Sequence, residues 1–171
     1  MIPGVVVVEL EPDTDERGYF ARTHCPIEFA DAGYPFVPVQ TSLSRNYVAH
    51  TLRGMHYQKS PSGESKLVRV VRGRIHDVAL DLRRESLTYL RWTATELSAD
   101  NGRAVLIPAG VAHGFLTIEP QSDVLYQIDR AYEPGKSLAV RWNDPAFAID
   151  WPASPQLISP ADAGLPDFST E

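Results

Sequence analysis

The chain contains 171 residues, a length that fits one domain, and 43% of them are hydrophobic, which is enough for a substantial core. Its formal net charge of −6 argues against a surface for nucleic acid or anionic membranes, but it allows a basic pocket for a small phosphorylated ligand. Cys25 is the only cysteine, which excludes an internal disulfide and a cysteine-rich metal site. We therefore expect a single domain over residues 1–171 with no nucleic-acid partner.

The N-terminal sequence MIPGVVVVELEPD contains an apolar run that no basic segment precedes. This run is too short for the core of a signal peptide or for a membrane span. We therefore expect a cytoplasmic protein without a membrane partner.

Short runs of β-forming residues recur along the chain between turn signals. Many short strands at close spacing are typical of an all-β sandwich or barrel. Only residues 26–32 are predicted to form a helix, and Gly33 is placed to end it. The predicted strands, in chain order, are 5–10, 19–22, 37–44, 66–71, 74–82, 87–97, 103–107, 114–118, 123–128 and 138–142.

Two glycine-containing turns are predicted between these strands. The Arg-Gly pair at 72–73 resembles a tight hairpin turn, because Gly73 tolerates positive φ. The Asp-Asn-Gly sequence at 100–102 predicts the same kind of turn before the strand at 103–107. The segment after Trp151 is rich in Pro, Ala, Ser and Asp, so we expect an irregular C-terminal tail that wraps the surface.

Five histidines in a predicted β-sandwich first suggest a metal site. A histidine-based site of this kind needs two imidazoles two residues apart on one strand face, with a carboxylate and a third histidine. The only comparable stretch is His56-Tyr57-Gln58, which lacks the second imidazole, and Glu64 alone cannot complete the set. We therefore expect no metal.

The residues around His56 suit acid–base chemistry that needs no metal. Arg53 lies shortly before it, and Lys66 begins an apolar strand after it. A cation inside a β-barrel is costly unless it is paired or serves a ligand. His113 lies where a turn meets a strand, and Tyr126 lies in a later strand. Such a set can remove a proton beside a carbonyl group and return it.

Each of these residues also has an ordinary structural interpretation. A strand histidine is more often structural than catalytic, Lys66 can reach solvent, and Tyr126 can be a core residue. Arg53 can pair with a surface carboxylate, which contributes little stability. Asp77 and Asp81 are expected to pair with arginines or stay solvated, although Asp77 can also face a pocket. The structural interpretation is the one that we adopt for His24, His50 and His76.

A series of short motifs spans most of the chain in a fixed order. They are DERGYF at 15–20, LRGMHYQ at 52–58, KLVR at 66–69, DVALDLR at 77–83, IPAGVAHGF at 107–115, WNDP at 142–145, IDWP at 149–152 and SPAD at 159–162. Their order and spacing, from about residue 4 to residue 166, resemble those of the dTDP-4-dehydrorhamnose 3,5-epimerase family. The resemblance implies a jelly-roll β-sandwich of the cupin type with a few short helices, which forms a homodimer and uses no cofactor.

The same resemblance implies a role for each matched residue. His56 is the base, Asp162 orients it, Lys66 lies near the developing enolate oxygen, and Tyr126 is the acid. His113 is the second histidine of the site. The matched positions that contact the phosphates, the sugar or the nucleotide base are Arg17, Arg53 and Tyr132.

Some positions depart from the family pattern, chiefly at nucleotide and outer sugar contacts. Arg22 stands where the family has a glutamate, and Ser137 aligns with a second glutamate. The family's Gln-x-Asn is Gln40-Thr41-Ser42 here. We still expect Arg22, Gln40 and Ser42 to bind the substrate, and the chemistry is better supported than the identity of the nucleotide. Two further departures are His50, where the family has glycine, and Ala161, where it has lysine.

The implied reaction is epimerisation of a nucleotide-linked 4-keto-6-deoxyhexose, with dTDP as the expected nucleotide, at C3 and C5 in deoxysugar biosynthesis. One alternative is a single-centre epimerase at C3 or C5 of a related keto sugar, which uses the same residues. Another is a keto-isomerase of related fold, which Lys66 and the spacing of Tyr126 disfavour. The third is a non-catalytic protein that binds sugar nucleotides, which would not need both His56 and Tyr126.

A homodimer is expected from the resemblance and from the apolar run at 5–10, which would otherwise form an exposed strand edge. We expect this strand to pair with the sheet of the partner subunit. In that arrangement Arg17 or Arg22 reaches the neighbouring site.

Overall fold

A computed structural model describes residues 1–58 and 63–169 of the chain. Within these residues it contains thirteen strands and two short helices, which confirms the predicted all-β class. The strands are β1 (Val6–Val8), β2 (Asp13–Asp15), β3 (Gly18–Phe20), β4 (Gln40–Asn46), β5 (Thr51–Gln58), β6 (Lys66–Arg72), β7 (Arg74–Asp81), β8 (Trp92–Ser98), β9 (Ala104–Ile107), β10 (Val111–Thr117), β11 (Ser122–Ile128), β12 (Ser137–Ala139) and β13 (Leu157–Ile158), and the helices are α1 (Pro26–Asp31) and α2 (Pro160–Ala163).

Two sheets face each other across one core. The first sheet has the strand order β1-β9-β6-β11-β4, and all of its pairs are antiparallel. The second sheet has the order β12-β5-β10-β7-β8, and β13 adds to β5 in parallel. Strands β2 and β3 form a separate hairpin. None of the described helices has the length and apolar character needed to cross a membrane.

The core between the sheets follows the alternation of side chains along each strand. Val68 and Val70 of the first sheet meet Ile75 and Phe115 of the second. Every residue of β10 is buried, because the inner face of this strand lies in the core and its outer face is also covered. Strands that are buried on both faces have continuous apolar sequences rather than alternating ones.

The outer faces of the two sheets are covered by different parts of the chain. Phe147 and Ile149, in the segment before the tail, pack on the second sheet together with Val140. Phe36 and the α1 residue Phe29 pack on the first sheet. Helix α1 begins at Pro26 and ends one residue earlier than predicted, and the Gly33 amide donates to the carbonyl of Ala30 at its end.

Both turn predictions are correct about the chain reversal, but the two strands that each turn joins do not pair with each other as a hairpin. Gly73 and Gly102 have positive φ, as expected. However, β6 belongs to the first sheet and β7 to the second, and β8 and β9 are divided in the same way. A turn sequence specifies a reversal but not the pairing that follows it. Because both flanking strands carry core residues, they pack face to face across the sandwich instead of edge to edge.

Two other predictions fail in part. The strand predicted at 87–97 begins only at Trp92, because the preceding loop folds back on the buried Asp81 carboxylate, to which Ser86 and Thr88 each donate over 2.6 Å. The tail is not wholly irregular, since it contains β13 and α2. The Ser159 hydroxyl accepts the Asp162 amide over 3.0 Å and so caps α2. This tail brings a carboxylate to the interior of the sandwich.

Candidate active site

A cleft of about 770 Å³ lies between the two sheets, and we call it the interior cleft. Strands β4, β5, β6, β10 and β11 and the tail residues 157–162 contribute to its walls. Six of the predicted site residues line it together, namely Arg53, His56, Lys66, His113, Tyr126 and Asp162. The single-residue signals in the sequence therefore converge on one place.

A close contact between two strands brings the two histidines of the cleft side by side. A Cβ atom on Gly54 would collide with the Gly114 backbone, so two glycines are needed where β5 meets β10. In this pairing His56 lies opposite His113, and a register shift follows at Gly114.

His56 and Asp162 form the first histidine–carboxylate pair of the cleft. The His56 Nε2 atom lies 2.7 Å from Asp162 Oδ1, and 41% of the His56 side chain is exposed. With the carboxylate at Nε2, a neutral His56 carries its proton there and leaves Nδ1 as the basic nitrogen. The geometry is that of an accessible base with a carboxylate that fixes its tautomer.

His113 and Asp77 form a second pair, which is almost fully buried. The His113 Nε2 atom lies 2.6 Å from Asp77 Oδ2, and only 4% of the His113 side chain is exposed. Asp77 neither pairs with an arginine nor stays solvated, because it is buried and its partner is this histidine, which lines the interior cleft. Asp81, by contrast, pairs with Arg83 as expected.

Lys66 is held inside the cleft and does not extend into solvent. Its Nζ atom lies 2.9 Å from Glu64 Oε1, and the other Glu64 oxygen accepts the Gln58 amide over 2.8 Å. Only 12% of the Lys66 side chain is exposed. Glu64 thus offsets the desolvation cost of burying the Lys66 ammonium group. The remaining N–H groups of Lys66 are available to a ligand.

Tyr126 lies across the cleft from His56, on the first sheet, and packs edge-on against His113 with ring centroids 5.8 Å apart. Burial raises the pKa of its phenol well above the usual value of 10.0, and the charge of Asp77 raises this pKa further. Arg53 has a smaller, opposing effect. Tyr126 therefore keeps its proton at neutral pH and is suited to act as an acid.

The other predicted contact residues lie outside the interior cleft in the single chain. Arg17 is exposed on the β2–β3 hairpin, where it bonds Asp15. Arg22 is exposed and pairs with Glu28 of α1, beside a separate groove. Tyr132 is exposed in the loop before β12. These three residues are not brought together with the acid–base set by this chain alone.

Gln40 and Ser42 lie on β4, next to the strand that carries Tyr126. In the register of the two strands Ser42 is opposite Tyr126, and Gln40 is opposite Ile128. Directly opposed residues share a sheet face, so both polar side chains are on the same face as the phenol. The amide of Gln40 donates to the carbonyl of Arg130 over 2.8 Å.

Two residues that support the site were not predicted from the sequence. Glu64 holds Lys66, and Asn46 accepts a hydrogen bond from Arg53. Glu64 precedes Lys66 by two positions, the spacing at which side chains share a strand face, and this signal was available. Asn46 has no such signal, because its contact joins two strands. Among residues 1–58 and 63–169, no group of three or more histidine, cysteine, aspartate or glutamate side chains is arranged to hold a metal ion.

Comparison with known proteins gives one consistent result. The sequence model of the family described as dTDP-4-dehydrorhamnose 3,5-epimerase matches residues 1–170. The enzyme of that name from Methanothermobacter thermautotrophicus is 43% identical over 152 residues, which cover 88% of this chain and 80% of the relative. The dTDP-4-dehydrorhamnose 3-epimerase of Streptomyces niveus is 38% identical over 162 residues, covering 94% and 78% of the two chains.

A solved structure shows the same fold. The crystal structure of dTDP-4-dehydrorhamnose 3,5-epimerase from Bacillus anthracis, with TDP and PPi bound, superposes with a TM-score of 0.93 at 37% identity. The match covers 96% of this chain and 94% of that one.

Proposed function

The chain belongs to the dTDP-4-dehydrorhamnose 3,5-epimerase family of isomerases, and from this premise we propose that it epimerises a dTDP-linked 4-keto-6-deoxyhexose at C3 and C5 in deoxysugar biosynthesis. One observation carries the proposal. An accessible base, a buried cation and a protonated phenol line a single cleft whose size suits a sugar. The base and the phenol come from opposite sheets, so a sugar ring between them has one on each face.

His56 removes the proton in this mechanism. The Nδ1 atom takes the proton from the carbon beside the ketone, and the electron pair of the broken C–H bond moves onto the ketone oxygen to form an enolate. Asp162 then faces an imidazolium, which its carboxylate stabilises. General bases of this kind contribute roughly 10²–10⁴-fold to the rate.

Lys66 and Tyr126 complete the cycle. The ammonium group of Lys66 stabilises the negative charge on the enolate oxygen, an interaction that is stronger in a water-poor cleft than in bulk solvent. Tyr126 donates its proton to the same carbon from the opposite face, which inverts the centre. Solvent then returns a proton to the phenolate and removes one from His56.

The remaining contacts are proposed to bind the nucleotide. The TDP and PPi in the Bacillus anthracis structure support a nucleotide-diphosphate site in this family. We assign phosphate and sugar contacts to Arg53, Arg17 and Arg22, and stacking on the base to Tyr132. Because Arg17 and Arg22 do not line the cleft of their own chain, we propose a homodimer in which they reach the partner's site. Gln40, Ser42 and His113 are assigned to the sugar.

We also propose that residues 1–171 form a single cytoplasmic domain that works without a metal ion. The two sheets that share one core support the single domain, and the lone Cys25 fits a reducing compartment. Exhaustive chelation is expected to leave turnover unchanged. A stoichiometric metal whose removal abolishes activity would contradict this part of the proposal.

Deuterium incorporation from heavy water tests the proposed reaction and the roles of His56 as the base and Tyr126 as the acid. Wild-type enzyme with dTDP-4-keto-6-deoxyglucose is expected to exchange at both C3 and C5. Exchange at one centre would instead favour a single-centre epimerase, the activity for which the similar Streptomyces niveus enzyme is named. Absence of exchange with any keto-sugar nucleotide would leave only a binding function.

Two variants separate the base from the acid. His56→Asn should lose exchange and inversion together, because the base is gone. Tyr126→Phe should keep measurable exchange but lose inversion by roughly 10²-fold or more, since the enolate is reprotonated from the face that it left. Matched controls are His50→Asn and Tyr47→Phe, which lie outside the cleft, and melting temperatures must agree first. Complete loss of exchange in folded Tyr126→Phe would mean that the assignment is wrong.

A further inference from the structure

Asn46 is a buried polar residue beside the interior cleft that no part of the mechanism uses. It ends β4, two positions after the cleft residue Ser44, and is only 2% exposed. Its side-chain amide nitrogen donates to the carbonyl of Ser44 over 3.2 Å and to the carbonyl of Ser122 over 3.1 Å. A buried asparagine with this many partners has a fixed position.

These two bonds also fix which way the amide faces. Carbonyl oxygens only accept hydrogen bonds, so the NH₂ group must point at Ser44 and Ser122. The Oδ1 atom of Asn46 is then forced to the other side. There it accepts the Nε–H of Arg53 over 2.8 Å. An amide flip would lose all three bonds at once.

Arg53 lies on β5 and lines the cleft. Its guanidinium is planar, so fixing Nε also fixes the plane and direction of the two terminal nitrogens. No other residue in the described part of the chain bonds to these two nitrogens. The result is a pair of N–H donors that is already oriented before any ligand arrives.

We propose that Asn46 is a positioning residue that sets Arg53 for two-point contact with a phosphate group of the nucleotide. The inference rests on the proposed function, in which Arg53 contacts the phosphates. Two-point contact depends on angle as well as distance, so an arginine that rotates freely about its side chain binds the same group more weakly. Asn46 would thereby act on nucleotide affinity through Arg53 and not through the substrate itself.

Two substitutions at position 46 separate positioning from folding. Asn46→Ala removes the acceptor for Arg53 and the donors to the two carbonyls. Asn46→Asp keeps an acceptor for Arg53 but turns an oxygen towards the carbonyls. Both variants are expected to melt at lower temperature, but only Asn46→Ala should lose affinity for dTDP, by roughly tenfold, the effect of one hydrogen bond to a charged group. Thymidine, which has no phosphate, should bind all three proteins equally.

A double-mutant cycle with Arg53→Ala identifies the route of the effect. If Asn46 acts through Arg53, Asn46→Ala should not weaken dTDP binding any further in the Arg53→Ala background. A full additional loss there would overturn the inference, as would equal dTDP affinities for Asn46→Ala and wild type. If Arg53→Ala itself binds dTDP as wild type does, the phosphate role assigned under the proposed function is the part that fails.

A measurement on the free protein tests whether Asn46 positions Arg53, whatever the nucleotide-binding experiments give. The NMR signal of the Arg53 Nε–H should show slow exchange with water in the wild type and in Asn46→Asp. In Asn46→Ala its exchange should be markedly faster. Equal exchange rates in wild type and Asn46→Ala would overturn the inference whatever the nucleotide experiments give.

Discussion

The two histidines of the interior cleft have different access to solvent although each has a carboxylate within hydrogen-bond distance. His56 is partly open, so it can meet a substrate C–H bond and afterwards exchange its proton with water. His113 is sealed between Asp77 and the ring of Tyr126. A sealed pair is suited to hold a charge or a hydroxyl group in place, and an open pair is suited to transfer protons.

The phenol of Tyr126 should not limit activity in alkaline solution. An acid must carry its proton, and burial raises the pKa of this phenol, so the protonated form persists as the pH rises. We therefore expect no loss of kcat from its ionisation below about pH 10. The measurement is the pH profile of kcat for inversion by the wild type, whose alkaline limb should coincide with that of deuterium exchange by Tyr126→Phe. A fall in rate below about pH 10 that only the wild type shows would mean that Tyr126 ionises in that pH range.

Most of the chemistry-bearing residues were predictable from the sequence because they lie inside short local motifs, and Tyr126 was predictable from its strand. His56 lies three positions after Arg53 in one motif, and Lys66 begins a predicted strand. The partners of these residues were less predictable. Asp77 meets His113 across neighbouring strands and Asn46 meets Arg53 between the two sheets, and both arrangements are set by the folded sheets rather than by local sequence.

At the level of elements, the four-residue helix α2 depends on its cap. Ser159→Ala removes the hydroxyl that holds the Asp162 amide, a loss of about 1 kcal/mol. We expect turnover to fall about fivefold, because Asp162 then spends less time against His56. The global melting temperature should hardly change, because the sheets are untouched. Ser159→Thr keeps the hydroxyl and is the matched control.

A structural role for the cap would give a different result. If Ser159→Ala lowered the melting temperature strongly while turnover per folded molecule stayed unchanged, the tail would stabilise the sandwich without positioning the carboxylate.

The loop between β7 and β8 is organised by the buried Asp81. Burial raises the pKa of its carboxyl, but bonds from Arg83, Ser86 and Thr88 outweigh this and lower the pKa below the usual 3.8. A lowered pKa means that the stabilisation is complete above about pH 4 and is lost as the pH falls below that value. Asp81→Asn should cost about 2 kcal/mol at pH 7. Urea unfolding should show this difference from wild type shrinking towards pH 3, and a constant difference would contradict it.

The strands and their order were largely predictable, but their division between two sheets was not. Alternating and continuous apolar runs identify β6, β7, β9 and β11 close to their observed bounds. Membership of a sheet depends on which faces bury against each other, and that is a property of the assembled core. The strands β2, β5 and β13 are absent from the predicted set, and β13 was missed because two residues carry no periodic signal.

For the whole molecule we expect a homodimer. One edge of strand β1 pairs with β9 of its own chain. We predict that the other edge of β1 pairs with the sheet of the partner subunit. The hairpin β2–β3 leaves Phe20 79% exposed, and large exposed aromatic residues mark contact surfaces. Light scattering at micromolar concentration should give twice the chain mass of 19.0 kDa. Full activity from a monomer would contradict the proposal.

A variant of the hairpin tests whether the dimer completes the site. Phe20→Ser should shift the mass towards the monomer and weaken dTDP binding, because Arg17 is on the same hairpin. Leu87→Ser, at an exposed residue far from the hairpin in sequence, is the matched control.

The contact between His56 and Asp162 joins residues 106 positions apart in the sequence. During synthesis the histidine leaves the ribosome long before its carboxylate is made, and loop closure over such a distance is slow compared with local pairing. We therefore expect the sandwich to form first and the docking of the tail on β5 to follow. A chain that lacks about its last ten residues would give the spectroscopic signal of a folded sandwich and yet have no activity. Turnover is therefore the most sensitive measure of an intact, fully folded molecule.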